Sequence, residues 1–242
     1  VSDAVTVGFI NMQTEAVGGT GPANNFTVAR VRRDLPNQSS VGGLFVNRQA
    51  TGSQALGNDY NRTYAVDGRW GIGQNGLVQG FLGRTETPGR AGRDHAFSLS
   101  GRYDSEAWRL ISGYQEDGED FNPEVGFVRR TGFRKFDFGV NRTSRPEGFL
   151  KFQEVQPHMS FTRFWNFDGV METSFLHIDN DLEFVDSSLI KTAWNVTGEG
   201  VTTAFEIADG VVVPVGTYAH NEAQLSYESN RGASVSIGVR AR

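Results

Sequence analysis

Residues 95–104 of the chain read HAFSLSGRYD, and apolar and polar side chains alternate along this stretch. One face of an extended strand would carry the mainly apolar set of His95, Phe97, Leu99, Gly101 and Tyr103. The other face would carry the small and polar set of Ala96, Ser98, Ser100, Arg102 and Asp104. Because side chains of a strand point to opposite faces with a period of two, this pattern predicts a strand with one apolar and one polar side.

The stretches on either side keep the same period. After a short reversal at residues 105–106, the alternation resumes over residues 108–115, which predicts a hairpin. An acidic connection follows at residues 114–130 (YQEDGEDFNPEVGFVRR), and residues 135–143 alternate again beyond it. Residues 60–72 form the longest regular run.

The complete pattern predicts an all-β protein with about 12 to 14 strands and no helix. Runs of roughly eight to eleven residues suit tilted membrane-spanning strands, and long and short connections alternate as they do in barrels of the outer membrane. We therefore expect an antiparallel, up-and-down transmembrane β-barrel that occupies residues 1–242 as a single domain. We also expect this domain to be a fragment of a longer protein.

The amino-acid composition argues against several classes of protein and of functional site. A net charge of -5 argues against a nucleic-acid-binding protein, which needs a basic face to displace counterions. The chain has no cysteine, which removes disulfides, thiol catalysis and zinc-thiolate sites together. No stretch approaches the roughly 20 apolar residues of a spanning helix, so residence in a lipid bilayer would require strands.

The polar faces of the predicted strands would line the lumen of such a barrel. The predicted lumen residues are Asp67, Arg69, Arg84, Ser98, Ser100, Arg102, Arg109, Lys135, Asp137 and Asn141. Charges of both signs occur in this set, which favours polar solutes such as saccharides over a single type of ion.

The acidic connection is predicted to sit at the mouth of the barrel or to fold into it. Its polar residues are Glu116, Asp117, Glu119, Asp120, Asn122, Glu124, Arg129 and Arg130. Calcium takes about six to eight oxygen ligands, so Asp117, Glu119 and Asp120 form a candidate calcium site, although their spacing does not match an EF-hand. The alternative is a solvated loop, or carboxylates of this connection that pair with Arg129, Arg130 and Arg134.

The residue types of common enzyme sites are present without a convincing arrangement. The four histidines are scattered without metal-ligand spacing, and Ser174 is expected on the opposite face of its strand from His177 and Asp179. Residues 71–76 (GIGQNG) match a dinucleotide-binding glycine pattern, but they lie between two alternating runs and predict a hairpin turn instead. We assign no catalytic residue and no cofactor other than the calcium hypothesis.

Residues 120–129 (DFNPEVGFVR) resemble a bacterial family of unknown function that follows a family-9-type carbohydrate-binding module in many secreted and envelope proteins. The likeness extends to residues 26–30 with 34–35, to residues 58–60 and to residues 210–218. The resemblance implies the outer-membrane β-barrel region of a larger protein without an established activity. It also leaves room for partner chains of an envelope complex.

Three functions are compatible with these observations. The first is a channel, transporter or anchoring pore for polar solutes in a bacterial outer membrane. The second is a soluble or surface β-sandwich that binds carbohydrate through its aromatic residues. The third and least favoured is a barrel-embedded hydrolase. The membrane interpretation would fail if a dry protein interior enclosed Phe97, Leu99, Trp108, Leu110, Phe136 and Phe138.

Overall fold

The computed structural model describes residues 4–18, 21–148 and 150–242, whose regular structure is entirely β. The strands described are β1 (Val5–Gln13), β2 (Ala23–Leu35), β3 (Ser39–Thr51), β4 (Tyr60–Ile72), β5 (Gly76–Glu86), β6 (His95–Asp104), β7 (Trp108–Asp117), β8 (Phe133–Arg142), β9 (Phe152–Trp165), β10 (Met171–Phe184), β11 (Leu189–Val201), β12 (Phe205–Ala208), β13 (Val211–Val213), β14 (Gly216–Glu228) and β15 (Gly238–Ala241). Across these residues, we find no helix with the length and hydropathy needed to cross a membrane.

Thirteen strands form one sheet in the order β1 to β11, β14 and β15. The two short strands β12 and β13 pair with each other in the connection between β11 and β14. The prediction of an all-β, antiparallel, up-and-down sheet is confirmed, and 13 strands lie within the expected number. Among the described strands, β1 and β15 are the two edges of the sheet, so the sheet is not closed.

The chain divides into two compact units. The first unit comprises Val1–Gly101 and Tyr114–Arg134, and the second comprises Arg102–Gly113 and Lys135–Arg242. The single domain expected for residues 1–242 stays a prediction.

The turn between β2 and β3 requires an unusual backbone conformation. Asn37 and Gln38 have φ angles of 58° and 57°, the left-handed pair that a tight hairpin turn demands. The Asn37 amide also donates to the carbonyl oxygen of Gly71 in β4, at 2.5 Å. A Cβ at Gly71 would lie 2.0 Å from the Asn37 carbonyl oxygen, so this position requires glycine. Close packing therefore explains the first glycine of the apparent dinucleotide pattern.

The turn between β10 and β11 is held by a side chain. The backbone N–H and the hydroxyl of Ser188 both donate to Oδ1 of Asp186, at 3.0 and 2.6 Å. These bonds, that of the hydroxyl above all, lower the pKa of the Asp186 carboxyl from its usual range because they favour its charged form.

Burial in the first unit is the reverse of that in a water-soluble domain. Asn61 in β4 and Thr85 in β5 are each only 1% exposed. Val66 and Trp70, on the opposite face of β4, are 58% and 62% exposed. Water-soluble domains bury aliphatic side chains and expose amides and hydroxyls. One face of this sheet is therefore polar and shielded, and the other is apolar and open.

The surface area of the chain leads to the same conclusion. Its accessible surface is 15630 Å², whereas a folded monomer of 26.6 kDa typically exposes about 10,700 Å². Within the described residues, the buried apolar side chains are those of Ala50, Ala96, Phe133 and Phe167. A β-sandwich needs two apolar faces packed into a core, and these four residues do not supply one.

The six residues that test the membrane interpretation are not enclosed. Leu99, Trp108, Leu110 and Phe136 are exposed, and Phe97 and Phe138 are half-buried. The apolar faces predicted from the alternation are therefore the faces that the fold leaves open.

We predict that Gly71→Ala destabilises the sheet by about 1–3 kcal/mol, because the added methyl group overpacks the Asn37 turn. Gly57→Ala is the matched control, since a Cβ at Gly57 would meet nothing within 4 Å. Urea unfolding of both variants measures the effect. An equal midpoint for Gly71→Ala and Gly57→Ala would contradict this account of the turn.

Candidate functional site: a polar sheet face and the loop held on it

The polar face of the first unit is crossed by an ion pair between non-adjacent strands. Nη2 of Arg30 in β2 donates to Oδ1 of Asp67 in β4, at 2.9 Å. Between them lies Gly42 of β3, where a Cβ would be 2.7 Å from that nitrogen. Glycine at this position lets the guanidinium pass over β3. The predicted lumen residues Asp67 and Arg69 share this face, because they are two residues apart in one strand.

The part of the acidic connection that follows β7 is the central loop, which comprises residues 118–132 between β7 and β8. This loop lies against the same polar face near the start of β4. The Asn61 amide donates to the Asn122 carbonyl oxygen at 2.7 Å and accepts the backbone N–H of Glu124 at 3.2 Å. The Thr85 hydroxyl accepts the backbone N–H of Asn122 at 3.0 Å. Two buried side chains thus satisfy three backbone groups of the loop. The phenyl ring of Phe121 lies over β5, 3.7 Å from the position that a Cβ on Gly83 would take.

Arg48 of β3 joins this loop to two other segments. Its guanidinium donates to Glu124 at 2.5 Å and to Asp59 at 2.7 Å, and it also bonds the side-chain oxygen of Asn24 at 3.0 Å. The Arg48 side chain is half-buried, so these partners replace water that the fold has removed. Arg48 therefore fixes the position of the loop electrostatically as well as sterically.

The predicted calcium ligands are divided among different partners. Asp117 in β7 accepts a bond from the Gln115 amide at 3.1 Å. Glu119 pairs with the Arg93 guanidinium at 3.1 Å, and Asp120 accepts the Arg93 backbone N–H at 3.3 Å. The structure does not gather these carboxylates into one ligand group within the described residues, so it gives the calcium hypothesis no support.

The carboxylates of the acidic connection pair with arginines, but mostly with other arginines than expected. Arg134 bonds Glu116 at 3.3 Å, as predicted, but Glu119 and Glu124 use Arg93 and Arg48. Of the two arginines in the loop itself, Arg129 is exposed and the Arg130 guanidinium lies 5.2 Å from the centre of the Phe133 ring. The pairing partners come from distant strands, which spacing in the sequence could not reveal.

The second unit contains a polar cavity of about 720 Å³. Three predicted lumen residues, Arg102, Arg109 and Asn141, line it. Both guanidiniums contact the Asp104 carboxylate, Arg109 at 3.0 Å and Arg102 at 3.5 Å. Glu106 and Asp181 line the cavity as well, so its wall carries charges of both signs.

Two further predicted residues form a pair on β8. The Lys135 ammonium lies 2.8 Å from a carboxylate oxygen of Asp137. A Cβ at Gly113 of β7 would lie 2.9 Å from Asp137, so glycine leaves room for the carboxylate. In the first unit, Ser98 and Ser100 alternate with exposed Leu99 as expected.

The expected position of Arg84 is wrong. Its cross-strand partner is Tyr64, so Arg84 lies on the opposite face from Asp67. Thr85 takes the polar side of β5 at this level, and the exposed Arg84 guanidinium instead pairs with Asp94 at 3.0 Å. Apolar and polar residues do not alternate near the end of β5, so the sequence does not determine which face of the sheet this arginine takes.

Sequence reasoning missed one cluster in the second unit. His158 of β9 and Asp179 of β10 are cross-strand partners, and His177 lies two residues before Asp179 on the same face. Ligand atoms of the three residues all lie within 4.8 Å of one another. Counting outward from the predicted turn at residues 166–169 would have set His158 opposite His177, whereas the longer turn and the register shift between Met171 and Thr173 set it opposite Asp179. Ser174 is on the other face of β10, as expected.

Neither the protein-family models nor the curated proteins match the sequence.

We predict that Asn61→Ala releases the central loop, because it leaves the Asn122 carbonyl and the Glu124 N–H without their partner. An unpaired buried group costs about 1–3 kcal/mol, so hydrogen exchange at Glu124 should accelerate by about 5- to 150-fold. Proteolysis near Phe127, which is 86% exposed, should accelerate as well. Asn47→Ala is the matched control on a neighbouring strand. Unchanged exchange at Glu124 in Asn61→Ala would contradict this anchoring role.

Proposed function

We propose that this chain forms part of the wall of a bacterial outer-membrane β-barrel that passes polar solutes, with the central loop narrowing its mouth. One observation carries the proposal: the sheet shields Asn61 and Thr85 on one face and exposes Val66 and Trp70 on the other. Such a sheet is stable where hydrocarbon covers the apolar face, because no water then contacts it.

The height of the apolar face supports this proposal. On β4, the apolar side runs from Tyr64 to Ile72, about 26 Å at about 3.3 Å per residue. The apolar band of outer-membrane barrels is about 25 Å tall. A strand tilted by about 35–45° would cover about 19–22 Å of that height.

The border of that face has the chemistry of a membrane interface. The Tyr60 hydroxyl donates to Glu86 at 2.9 Å, and the Arg62 guanidinium lies 4.3 Å from the centre of the Tyr60 ring. Further along the same border, Glu116 accepts the Tyr114 hydroxyl at 2.7 Å and contacts His95 at 2.8 Å. Aromatic rings with polar tips concentrate at this level of a membrane barrel.

The two open edges set a condition on the proposal. Lipid offers no hydrogen bonds, so β1 and β15 must be paired in a membrane. Neighbouring strands run in opposite directions, and in a sheet of 13 strands the first and last therefore run the same way. Antiparallel closure then requires an odd number of additional strands. We infer that another segment or another chain supplies them.

The charges on the polar faces favour polar solutes without selecting for positive or negative ions. The polar faces carry the Arg30–Asp67 and Lys135–Asp137 pairs and the Asp104 cluster. Paired charges offer donors and acceptors to hydroxyl groups, which suits saccharides, while they limit the net field acting on an ion.

We predict that Val66→Arg costs about 1–3 kcal/mol of folding free energy in phospholipid vesicles, because it moves a charge into the apolar band, about a quarter of its height from the Tyr64 end. The control is Leu56→Arg, in the connection between β3 and β4, which should stay within about 0.5 kcal/mol. Urea unfolding in vesicles measures both. If Val66→Arg also stays within that margin, the apolar face does not contact hydrocarbon.

We predict opposite changes of ion selectivity for two lumen substitutions in the complete protein. Arg102→Ser removes a positive charge and should shift permeability toward cations, and Asp137→Asn should shift it toward anions. Reversal potentials in planar bilayers under a salt gradient measure the shift, with exposed Arg90→Ser as the control. Unchanged selectivity in both variants would refute the lumen assignment without bearing on membrane residence.

A further inference from the structure

We propose that His158, His177 and Asp179 bind a divalent transition-metal ion on the polar face of β9 and β10. The site is independent of the proposed pore, since its three ligands are brought together by the pairing of two adjacent strands alone. Asp179 lies opposite His158 in the ladder, and His177 follows from the same register, opposite Ser160.

The two histidines approach the carboxylate from different sides. Nδ1 of His158 lies 3.0 Å from Oδ1 of Asp179, and Nε2 of His177 lies 3.1 Å from Oδ2. Zinc binds imidazole nitrogen and carboxylate oxygen at about 2.0–2.2 Å, which separates neighbouring ligand atoms by about 3.3–3.6 Å in a tetrahedron. The two nitrogen–oxygen contacts are a few tenths of an ångström shorter than that, each at its own carboxylate oxygen, and ligand atoms of all three residues lie within 4.8 Å of one another.

Hydrogen bonds behind the site determine which nitrogen of His177 is free. The Asn195 amide nitrogen donates to the Glu222 carboxylate at 3.2 Å. A carboxylate only accepts hydrogen bonds, so the amide nitrogen and not the amide oxygen must face it. The Asn195 amide oxygen therefore faces Nδ1 of His177, at 2.5 Å, and this nitrogen carries a proton. In neutral His177, Nε2 then has a lone pair that points at the Asp179 carboxylate.

Nε2 of His177 therefore faces the Asp179 carboxylate at 3.1 Å, and in the neutral ring both groups offer lone pairs to a metal ion. The chain from His177 through Asn195 to Glu222 is the arrangement that fixes the tautomer of metal-binding histidines. The Phe175 ring, nearly parallel to the His177 ring at 6.1 Å, also restricts its orientation.

The site has an open side. His158 and Asp179 both line the 720 Å³ cavity, together with Arg102 and Arg109. A metal bound by three protein ligands would keep a position for water or for an oxygen atom of a solute, as non-structural zinc sites do. Two imidazoles and one carboxylate suit Zn²⁺, Fe²⁺, Ni²⁺ or Co²⁺ rather than Ca²⁺ or Mg²⁺, which prefer oxygen ligands.

The experiment is a titration of the tag-free, chelator-treated full chain in detergent with Zn²⁺ and with Co²⁺. Calorimetry should give one site per chain, and the Co²⁺ form should show the visible absorption of a site with nitrogen ligands. Asn195→Ala removes a hydrogen-bond partner of a ligand and should weaken metal binding by roughly 10- to 100-fold. His177→Gln and Asp179→Asn each remove a ligand itself and should weaken metal binding by more than that.

The matched control is His95→Gln. His95 also contacts a carboxylate, that of Glu116 at 2.8 Å, but it belongs to the first unit and should leave metal affinity unchanged. Far-UV circular dichroism of each variant shows whether the sheet is intact. Absence of stoichiometric binding to the unaltered protein would overturn the proposal. Equal affinity of His177→Gln and His95→Gln would overturn it as well.

Discussion

Cross-strand pairing determines which side of the sheet every residue faces, and all other features of this fold depend on it. A shift of one residue in the register would move each side chain to the opposite face. With the observed register, Arg48 lies opposite Asn61 and Thr63 lies opposite Thr85, so polar groups from three strands converge. The buried polar side and the exposed apolar side are consequences of this pairing.

A polar interior is stable only if its groups are paired, because an unpaired polar atom loses its bonds to water without compensation. The fold meets this requirement by reaching across strands. Glycine at Gly42 lets the Arg30 guanidinium reach Asp67, and Asn61 supplies both an acceptor and a donor to the central loop. The loop is therefore part of the polar face rather than a free connection.

The proposed pore and the proposed metal site use the same polar chemistry in different units. Asn61 and Arg48 hold a loop in the first unit, and the pairing of β9 with β10 in the second unit places two imidazoles beside one carboxylate. Because the ligands belong to a rigid ladder, a bound metal would be held in fixed geometry beside a cavity large enough for a solute. A metal at this position would add a Lewis acid to a surface otherwise made of paired charges.

The amino-acid sequence by itself determined the strands, most of their faces and the location of the central loop, because alternation with a period of two is a local property. It assigned Asp67 and Arg102 to polar faces and Val66 and Trp70 to an apolar face, as the structure has them. Only the tertiary structure decided which residues meet. Arg48 and Glu124 are 76 positions apart, and His158 and Asp179 are 21 apart. Such partners depend on the register of whole strands, which hydrogen bonding between neighbours selects and which no local pattern contains.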